Sequence, residues 1–232
     1  MRVFAQQDFS KDLESLVSDA ARMGGMAESM VNDAISAVVR RDAVLARAVI
    51  ERDARVDAAQ QALERRVVRL MAERQAGERL IREGLGIWRI TGDLERVADL
   101  AKNIAKRSEA LNQSDPIQLS RSIERMGRLA AAQLKDVLDA YSLRDVGQAI
   151  GVWRQDEDID AHYNAMVREL LTYMMEDPKT ISPCTHLMFI AKNIERIGDH
   201  CTNIAETVHY LVTGEEIVAS RPKSDDAERG EP

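Results

Sequence analysis

Two segments of this 232-residue chain repeat each other one hundred positions apart. They read LERVADLAKNIA (94–105) and IERIGDHCTNIA (194–205). When residues 90–105 are aligned with residues 190–205, seven of the sixteen positions are identical, whereas chance alone gives about one identity. The chain that precedes each segment also repeats, at an offset of 103. The sequence therefore predicts one structural unit that occurs twice.

Apolar residues recur at every third or fourth position through most of the chain, which is the pattern of amphipathic helices. Aromatic residues make up only 4% of the chain and there are 5 prolines, so the core consists mainly of aliphatic residues that suit helices. No segment alternates as a strand does, and we expect an all-α fold of six long helices. The first predicted helix runs from Ser10 to Arg40, the second from its N-cap Asp42 to about Glu73, and the third from a turn at 74–77 to Leu111. The fourth runs from Asp115-Pro116 to Tyr141, and the fifth from Ser142 to Glu176, before a break at Asp177-Pro178. The sixth runs from Ser182-Pro183 to Gly214.

The six helices consist of a three-helix unit that occurs twice. Because long helices joined by short turns pack antiparallel, we predict two tandem three-helix bundles. We expect the first bundle at residues 1–112, the second at 113–214, and a disordered polar tail at 215–232. The pair Gly24-Gly25 predicts a kink or a close helix contact within the first helix. Both tryptophans, Trp88 and Trp153, and the methionines at helical spacing are interpreted as core residues.

Acidic residues occupy matching positions in both copies. Glu95 and Asp99 lie one helical turn apart and share a face with Asn103, while a second helix of the same unit supplies another such pair. If the two faces meet, each bundle gathers four carboxylates between two helices. We call these sets the first seam (Asp53, Asp57, Glu95 and Asp99) and the second seam (Asp156, Asp160, Glu195 and Asp199), with Asn103 and Asn203 as accessory ligands.

Clustered carboxylates repel one another, and a bound cation would offset that repulsion. Oxygen-only ligands favour a hard metal such as Mg, Ca, Mn or Fe. Two other interpretations stay open at this point: the acids form solvated faces, or basic neighbours neutralise them as surface ion pairs of little energetic weight. Those neighbours are Arg96, Lys102, Lys192 and Arg196.

The histidines are weaker candidates because none of them repeats between the two copies. Glu206 and His209 have the Glu-x-x-His spacing of ferritin-like di-iron bundles, but such a site needs the motif on two helices and the chain has it once. No phosphate-binding glycine loop or nucleophile motif is present. We therefore expect no catalytic residues.

Charge and composition exclude several classes of protein. The net charge of −7 disfavours nucleic acid as a partner. The N-terminal segment lacks the apolar stretch of a signal peptide, and no apolar run approaches the ~20 residues that span a bilayer. Cys184 and Cys201 lie roughly 26 Å apart along one predicted helix, too far for a disulfide. We expect a soluble, cytoplasmic protein.

The two repeated segments, and IERIGDHCTNIAETVHYLVTGE in particular, resemble the paired signature of the PhoU family of bacterial phosphate-uptake regulators. The resemblance runs from about residue 8 to residue 217 and includes the Asp-x-x-(Val/Ile)-Asp elements at 53–57 and 156–160. It implies an all-helical protein of two similar three-helix bundles. Where the second copy has Gly198 the first has Ala98, so the first copy is the looser match and equal metal occupancy is in question.

The resemblance also implies a function. Some members of the family bind metal clusters through the Glu/Asp-x-x-x-Asp motif, which here is Glu95/Asp99 and Glu195/Asp199; Mg, Mn, Ca, Fe and Zn are all candidates. The family represses the phosphate-starvation response, linking the ATPase subunit of the phosphate ABC transporter to a sensor histidine kinase. It meets the membrane only through those partners, and a homodimer is compatible with this role. A metal-dependent phosphohydrolase and a metal-free helical scaffold remain the alternatives.

Overall fold

The computed structural model describes residues 2–72, 77–115 and 120–217, without the side chains of residues 2–10, 120 and 156. In those ranges the chain forms seven α-helices and a short 3₁₀ turn, and no strand. The helices are α1 (Arg2–Arg40), α2 (Ala43–Ala72), α3 (Glu78–Leu111), α4 (Ser120–Leu143), α5 (Val146–Arg154), α6 (Asp156–Glu176) and α7 (Ile181–Thr213), with the 3₁₀ turn at Pro178–Thr180.

The helices form two three-helix bundles, as the repeat predicts. In the first bundle α1, α2 and α3 all contact one another; in the second, α4 and α7 pack with α5 and α6, which together replace one long helix. The bundles meet through α1 against α4 and α3 against α7. Each of these contacts joins a helix to its own repeat equivalent, so the two halves are related by a pseudo-two-fold arrangement.

Two glycines allow α1 and α4 to approach closely. A Cβ on Gly24 would lie 2.4 Å from Leu138 Cδ2, and one on Gly127 would lie 2.6 Å from Ile35 Cγ1. Gly127 and Leu138 are the repeat equivalents of Gly24 and Ile35 at the offset of 103, so the same contact is made twice in opposite directions. The close helix contact predicted at the glycine pair is confirmed.

Asp42 and Asp145 start equivalent helices in the two bundles. Asp42 Oδ1 accepts hydrogen bonds from the backbone N–H groups of Val44 and Leu45 at 2.9 Å, as its predicted N-cap role requires. Asp145 Oδ1 accepts one from Gln148 N at 3.0 Å. The preceding Arg41 and Arg144 both have left-handed backbones, with φ of 54° and 57°. This conformation lets the chain reverse direction in only two or three residues.

Several predicted helix ends are wrong. α1 begins at Arg2 rather than Ser10, because no Gly or Pro interrupts residues 2–9 and a serine is tolerated inside a helix. α4 continues to Leu143, so Ser142 does not open the next helix. The segment predicted as one helix to Glu176 divides at Gln155, where the acidic residues 156–158 suit the first turn of a new helix.

The last helix begins at Ile181, before the predicted cap Ser182, and its N-cap position is Thr180, which makes no side-chain capping hydrogen bond. Asp177 caps the preceding 3₁₀ turn instead, where its side chain accepts a hydrogen bond from Lys179 N. Its predicted end is confirmed, since Gly214 has a φ of 80° and terminates α7. Glu73, the turn at 74–76, Pro116 and residues 218–232 of the predicted tail lie outside the described residues.

The core is aliphatic, with two departures from prediction. Trp153 is buried, but Trp88 is 41% exposed and Met175 is 85% exposed, because both lie on helix faces that no described element covers. Cys184 and Cys201 are both buried and are not joined by a disulfide. Of the helices in the described ranges, none combines the length and the apolar character needed to cross a lipid bilayer.

We predict opposite stability effects for two glycine substitutions. Gly127→Ala places a methyl group against three atoms of Ile35, and the overpacking should lower the free energy of unfolding by about 1–3 kcal/mol. Gly25→Ala, in a position with open space around it, should raise it by up to about 1 kcal/mol through helix propensity. Urea unfolding of both variants is the measurement. If Gly127→Ala and Gly25→Ala changed the free energy of unfolding equally, the result would contradict the close contact of α1 with α4.

Candidate metal centre

The first seam forms where α2 packs against α3, and its four carboxylates interact with one another. Asp53 is buried. Burial raises the pKa of Glu95. The positive charge of Arg96 opposes this shift, and the negative charges of Asp57, Asp99 and Asp53 add to it. The structure therefore brings together all four residues that the sequence assigned to this seam.

A lysine already lies inside the first seam. Lys102 Nζ is 2.6 Å from Asp53 Oδ2 on α2 and 2.6 Å from Asp99 Oδ1 on its own helix. Although burial disfavours its charge, these hydrogen bonds raise the pKa of Lys102. Asn103, predicted as an accessory ligand, donates to the other oxygen of Asp99 at 3.1 Å. The ammonium group thus bridges the two helices at the place where a metal ion was expected.

Among the residues that the structure describes, no lysine forms an ion pair with the remaining carboxyls of the first seam, Asp57 and Glu95. Burial raises the pKa of Asp57; the negative charge of Asp53 adds to this shift, and the positive charge of Lys102 opposes it. Glu95 is paired with Arg96, at 3.4 Å from the guanidinium Nε. A cavity of about 450 Å³, lined by both repeats, opens beside Glu95, so ions from solvent have access to this end of the seam.

The second seam is built by α6 and α7 with a different arrangement of charge. Lys192 Nζ is 2.6 Å from Glu195 Oε1, while Glu195 Oε2 is buried and has no hydrogen-bond partner in the part of the chain that the structure describes. Burial raises the pKa of Glu195; Lys192 opposes the shift, and Asp199 and Asp160 add to it. Three predicted residues of this seam therefore meet, and the side chain of Asp156 lies outside the description.

The donor set fits a hard divalent cation in its chemistry, because carboxylate oxygens are the ligands such ions prefer. The unpartnered oxygen of Glu195 is a ligand atom available for one. As the side chains stand, however, no three His, Cys, Asp or Glu residues among those described converge closely enough to hold a metal ion. A metal ion held by three of these residues would therefore require their side chains to change conformation, and a metal ion on Asp53 and Asp99 would have to displace Lys102.

Asn203 does not lie in its seam as predicted. Its amide donates to Asp93 of the first bundle at 3.4 Å, and His200 Nδ1 lies 2.8 Å from the same Asp93 oxygen. This polar cluster joins α3 to α7 between the two seams. Sequence reasoning missed it, because Asp93 has no acidic counterpart in the second copy and the contact depends on how the bundles pack.

Glu206 and His209 serve local structure rather than a di-iron site. Glu206 Oε1 accepts a hydrogen bond from the indole N–H of Trp153 at 3.0 Å, and His209 Nδ1 lies 2.9 Å from the backbone oxygen of Glu215. These contacts agree with the interpretation that the Glu-x-x-His spacing is incidental.

The fold and the two seams define a class of protein: a duplicated three-helix bundle with an acidic seam in each half. The PhoU domain family model matches residues 20–108 and 123–208, one match per repeat. The chain belongs to the PhoU family.

Relatives of the chain match over nearly their full length. A phosphate-specific transport system accessory protein PhoU homolog of Caulobacter vibrioides (strain NA1000 / CB15N) is 53% identical, covering 94% of this chain and 96% of that protein. The Escherichia coli (strain K12) accessory protein PhoU is 38% identical over 90% of this chain and 87% of its own length. The crystal structure of PhoU from Pseudomonas aeruginosa has a TM-score of 0.87 at 35% identity, covering 89% of this chain and 100% of that one. The chain is therefore similar to accessory proteins of phosphate transport systems.

We predict that the Glu195 carboxylate destabilises the metal-free fold at neutral pH. Its folded pKa is raised above the ordinary value of 4.5, so the folded state binds more protons than the unfolded state in the interval between the two values. The free energy of unfolding should fall as pH rises through that interval and stay lower above it. Glu195→Gln should flatten this fall and raise stability at pH 7.

The measurement is urea unfolding between pH 4 and 8 in the presence of a chelator, with Glu51→Gln as the control because Glu51 is exposed and lies outside both seams. A Glu195→Gln variant whose pH profile matches wild type would contradict the electrostatic account of the second seam.

Proposed function

We propose that the chain is a negative regulator of phosphate uptake and of the phosphate-starvation response. In this role it links the ATPase subunit of a phosphate ABC transporter to a sensor histidine kinase in the cytoplasm. The observation that carries the proposal is the match to phosphate-transport accessory proteins, 53% identical across 94% of the chain. A regulator of this kind acts by binding partners, so it needs stable surfaces rather than a catalytic pocket.

Metal ions enter the proposal as ligands of the seams. Each seam lies between an outer helix and one of the helices that join the bundles, α2 with α3 and α6 with α7. A divalent cation bound to carboxylates of both helices would relieve their mutual repulsion and fix the spacing of the pair. Any partner-binding surface formed by α2 or α6 would then depend on the metal.

Genetic complementation tests the regulatory role. Deleting the gene should raise a phosphate-starvation reporter in phosphate-rich medium, and the wild-type chain should silence it again. A reporter that does not respond to the deletion would overturn the proposed function.

A pair of matched variants tests the seams in the same strain. Alanine at the four motif carboxylates Glu95, Asp99, Glu195 and Asp199 should leave the reporter high. The control carries alanine at four exposed glutamates elsewhere, Glu51, Glu78, Glu169 and Glu176, and should silence the reporter as wild type does. If the seam variant is present at wild-type abundance and also silences the reporter, the seams have no part in regulation.

Chelation tests the metal separately. Purified chain stripped of metal should bind membrane vesicles carrying the transporter less tightly, and adding Mn²⁺ should restore binding. The four-carboxylate seam variant should show no response to Mn²⁺. Transporter binding that is unchanged by stripping would assign the seams to stability alone.

A further inference from the structure

A cavity of about 640 Å³ opens where the two bundles meet, and its described lining includes no residue of either seam. The lining comes from α1, α3 and α7, together with Arg144 in the turn between α4 and α5. Its volume is within the range of about 300–1,000 Å³ that is typical of small-molecule sites. A molecule bound in this cavity would contact both repeats.

Arginines dominate the charge of the cavity. Arg79, Arg82 and Arg144 line it together with two glutamates, Glu14 and Glu83, which leaves one positive charge in excess. The chain as a whole has a net charge of −7, so this local excess is opposite in sign to that of the molecule. A guanidinium group presents its N–H donors in one plane, which matches the oxygens of a phosphate or carboxylate group. The lining therefore favours an anion.

The two bundles share an ion pair on the cavity wall. Arg144 Nη2 lies 2.6 Å from Glu83 Oε2, and the Glu83 side chain is only 8% exposed. Glu83 thus accepts at one nitrogen of a guanidinium group that has five N–H donors. Burial raises the pKa of nearby Tyr141; Arg144 opposes the shift and Glu83 adds to it. The Tyr141 hydroxyl is buried without a hydrogen-bond partner among the described residues, so donors outnumber acceptors around this ion pair.

A second arginine of the cavity is held in place by α7. Arg82 Nη2 donates to Glu78 Oε1 at 2.9 Å on its own helix. Its Nη1 packs against the end of α7, where a Cβ on Gly214 would lie 2.5 Å from it. The Arg82 side chain is 24% exposed, so its position is fixed before any ligand arrives, which lowers the cost of binding.

The opposite end of the molecule does not repeat this arrangement. Arg41 is the counterpart of Arg144 at the offset of 103, but its guanidinium group donates to two backbone oxygens at the end of α3, at 2.9 and 2.5 Å. The counterpart of Glu83 at the offset of 100 is Pro183. The charged lining is therefore particular to one end of the molecule and is not a by-product of the duplication.

The rest of the lining is apolar. Leu13 and Val17, one turn apart on α1, face the cavity together with Leu211 and Val212 of α7. Apolar surface next to guanidinium groups suits a molecule that has an anionic group at one end and hydrocarbon at the other, because the hydrocarbon gains affinity when it leaves water.

We propose that this cavity binds a small organic oxyanion, with its phosphate or carboxylate group at Arg79, Arg82 and Arg144 and its apolar part against Val17 and Leu211. The site goes beyond the regulatory role and involves neither seam, so this inference and the proposed function can fail independently. Because the ligand would contact both repeats, its binding would stabilise the packing of one bundle on the other.

Calorimetric titration of the purified full-length chain tests the inference with three probes: butyl phosphate, pentanoate and inorganic phosphate. At least one of the two organic anions should bind, and the tighter of them identifies the preferred anionic group. Inorganic phosphate should bind at least about tenfold more weakly than butyl phosphate, because it leaves the apolar lining unfilled.

Substitutions locate the binding. Arg79→Gln and Arg82→Gln should each weaken the binding of the organic anion at least about tenfold. Val212→Ser should weaken the binding of butyl phosphate about threefold and leave that of inorganic phosphate unchanged. The matched control is Arg65→Gln, which removes the same charge from an exposed arginine of α2 outside the cavity and should bind as wild type does.

Arg79 is exposed, so Arg79→Gln guards against a loss of folding, which circular dichroism checks for every variant. If neither organic anion binds, or if folded Arg79→Gln and Arg82→Gln variants bind as wild type does, the site is overturned. Inorganic phosphate that binds as tightly as butyl phosphate would overturn the apolar part of the proposal. The reporter and the Mn²⁺ experiments decide the proposed function separately.

Discussion

The contact between equivalent helices of the two repeats determines how the rest of the molecule is arranged. Gly24 faces Leu138 and Gly127 faces Ile35, so an aliphatic side chain from each half fits against a bare backbone in the other. Close packing of this kind tolerates little extra volume. Within the described ranges the bundles meet through α1 against α4 and α3 against α7, and α2, α5 and α6 make no contact with the opposite bundle.

This arrangement explains where the seams lie. The inter-bundle helices α3 and α7 present one face to each other and another to α2 or α6. The carboxylates are on the second face, so each seam is partly buried without being enclosed by the opposite bundle. The cluster of Asp93, His200 and Asn203 occupies the first face, where the two halves meet. Each of the helices α3 and α7 thus carries two polar surfaces, one that faces the opposite bundle and one that faces α2 or α6 of its own bundle.

The sequence predicted the features that depend on periodicity and repetition. These include the all-α fold, the two bundles, the cap at Asp42 and the meeting of the first-seam carboxylates. The sequence-based predictions failed for features that depend on how the helices pack against one another. Trp88 has the spacing of a core residue, yet no described element covers its face, and the break at Gln155 competes with a continuous helical pattern. Asp93 and the bridge made by Lys102 depend on side-chain reach between helices, which spacing along one helix does not report.

The seams show how a duplicated acidic cluster can keep its carboxylates while the neighbouring lysines differ between the two copies. The acidic positions of the repeated motif are present in both copies, but the compensating lysine arose at different positions. Burial and like charge raise the pKa values of Asp57, Glu95 and Glu195, so both seams carry an electrostatic cost that a nearby cation reduces. In the first seam that cation is covalently part of the chain and is present at any metal concentration.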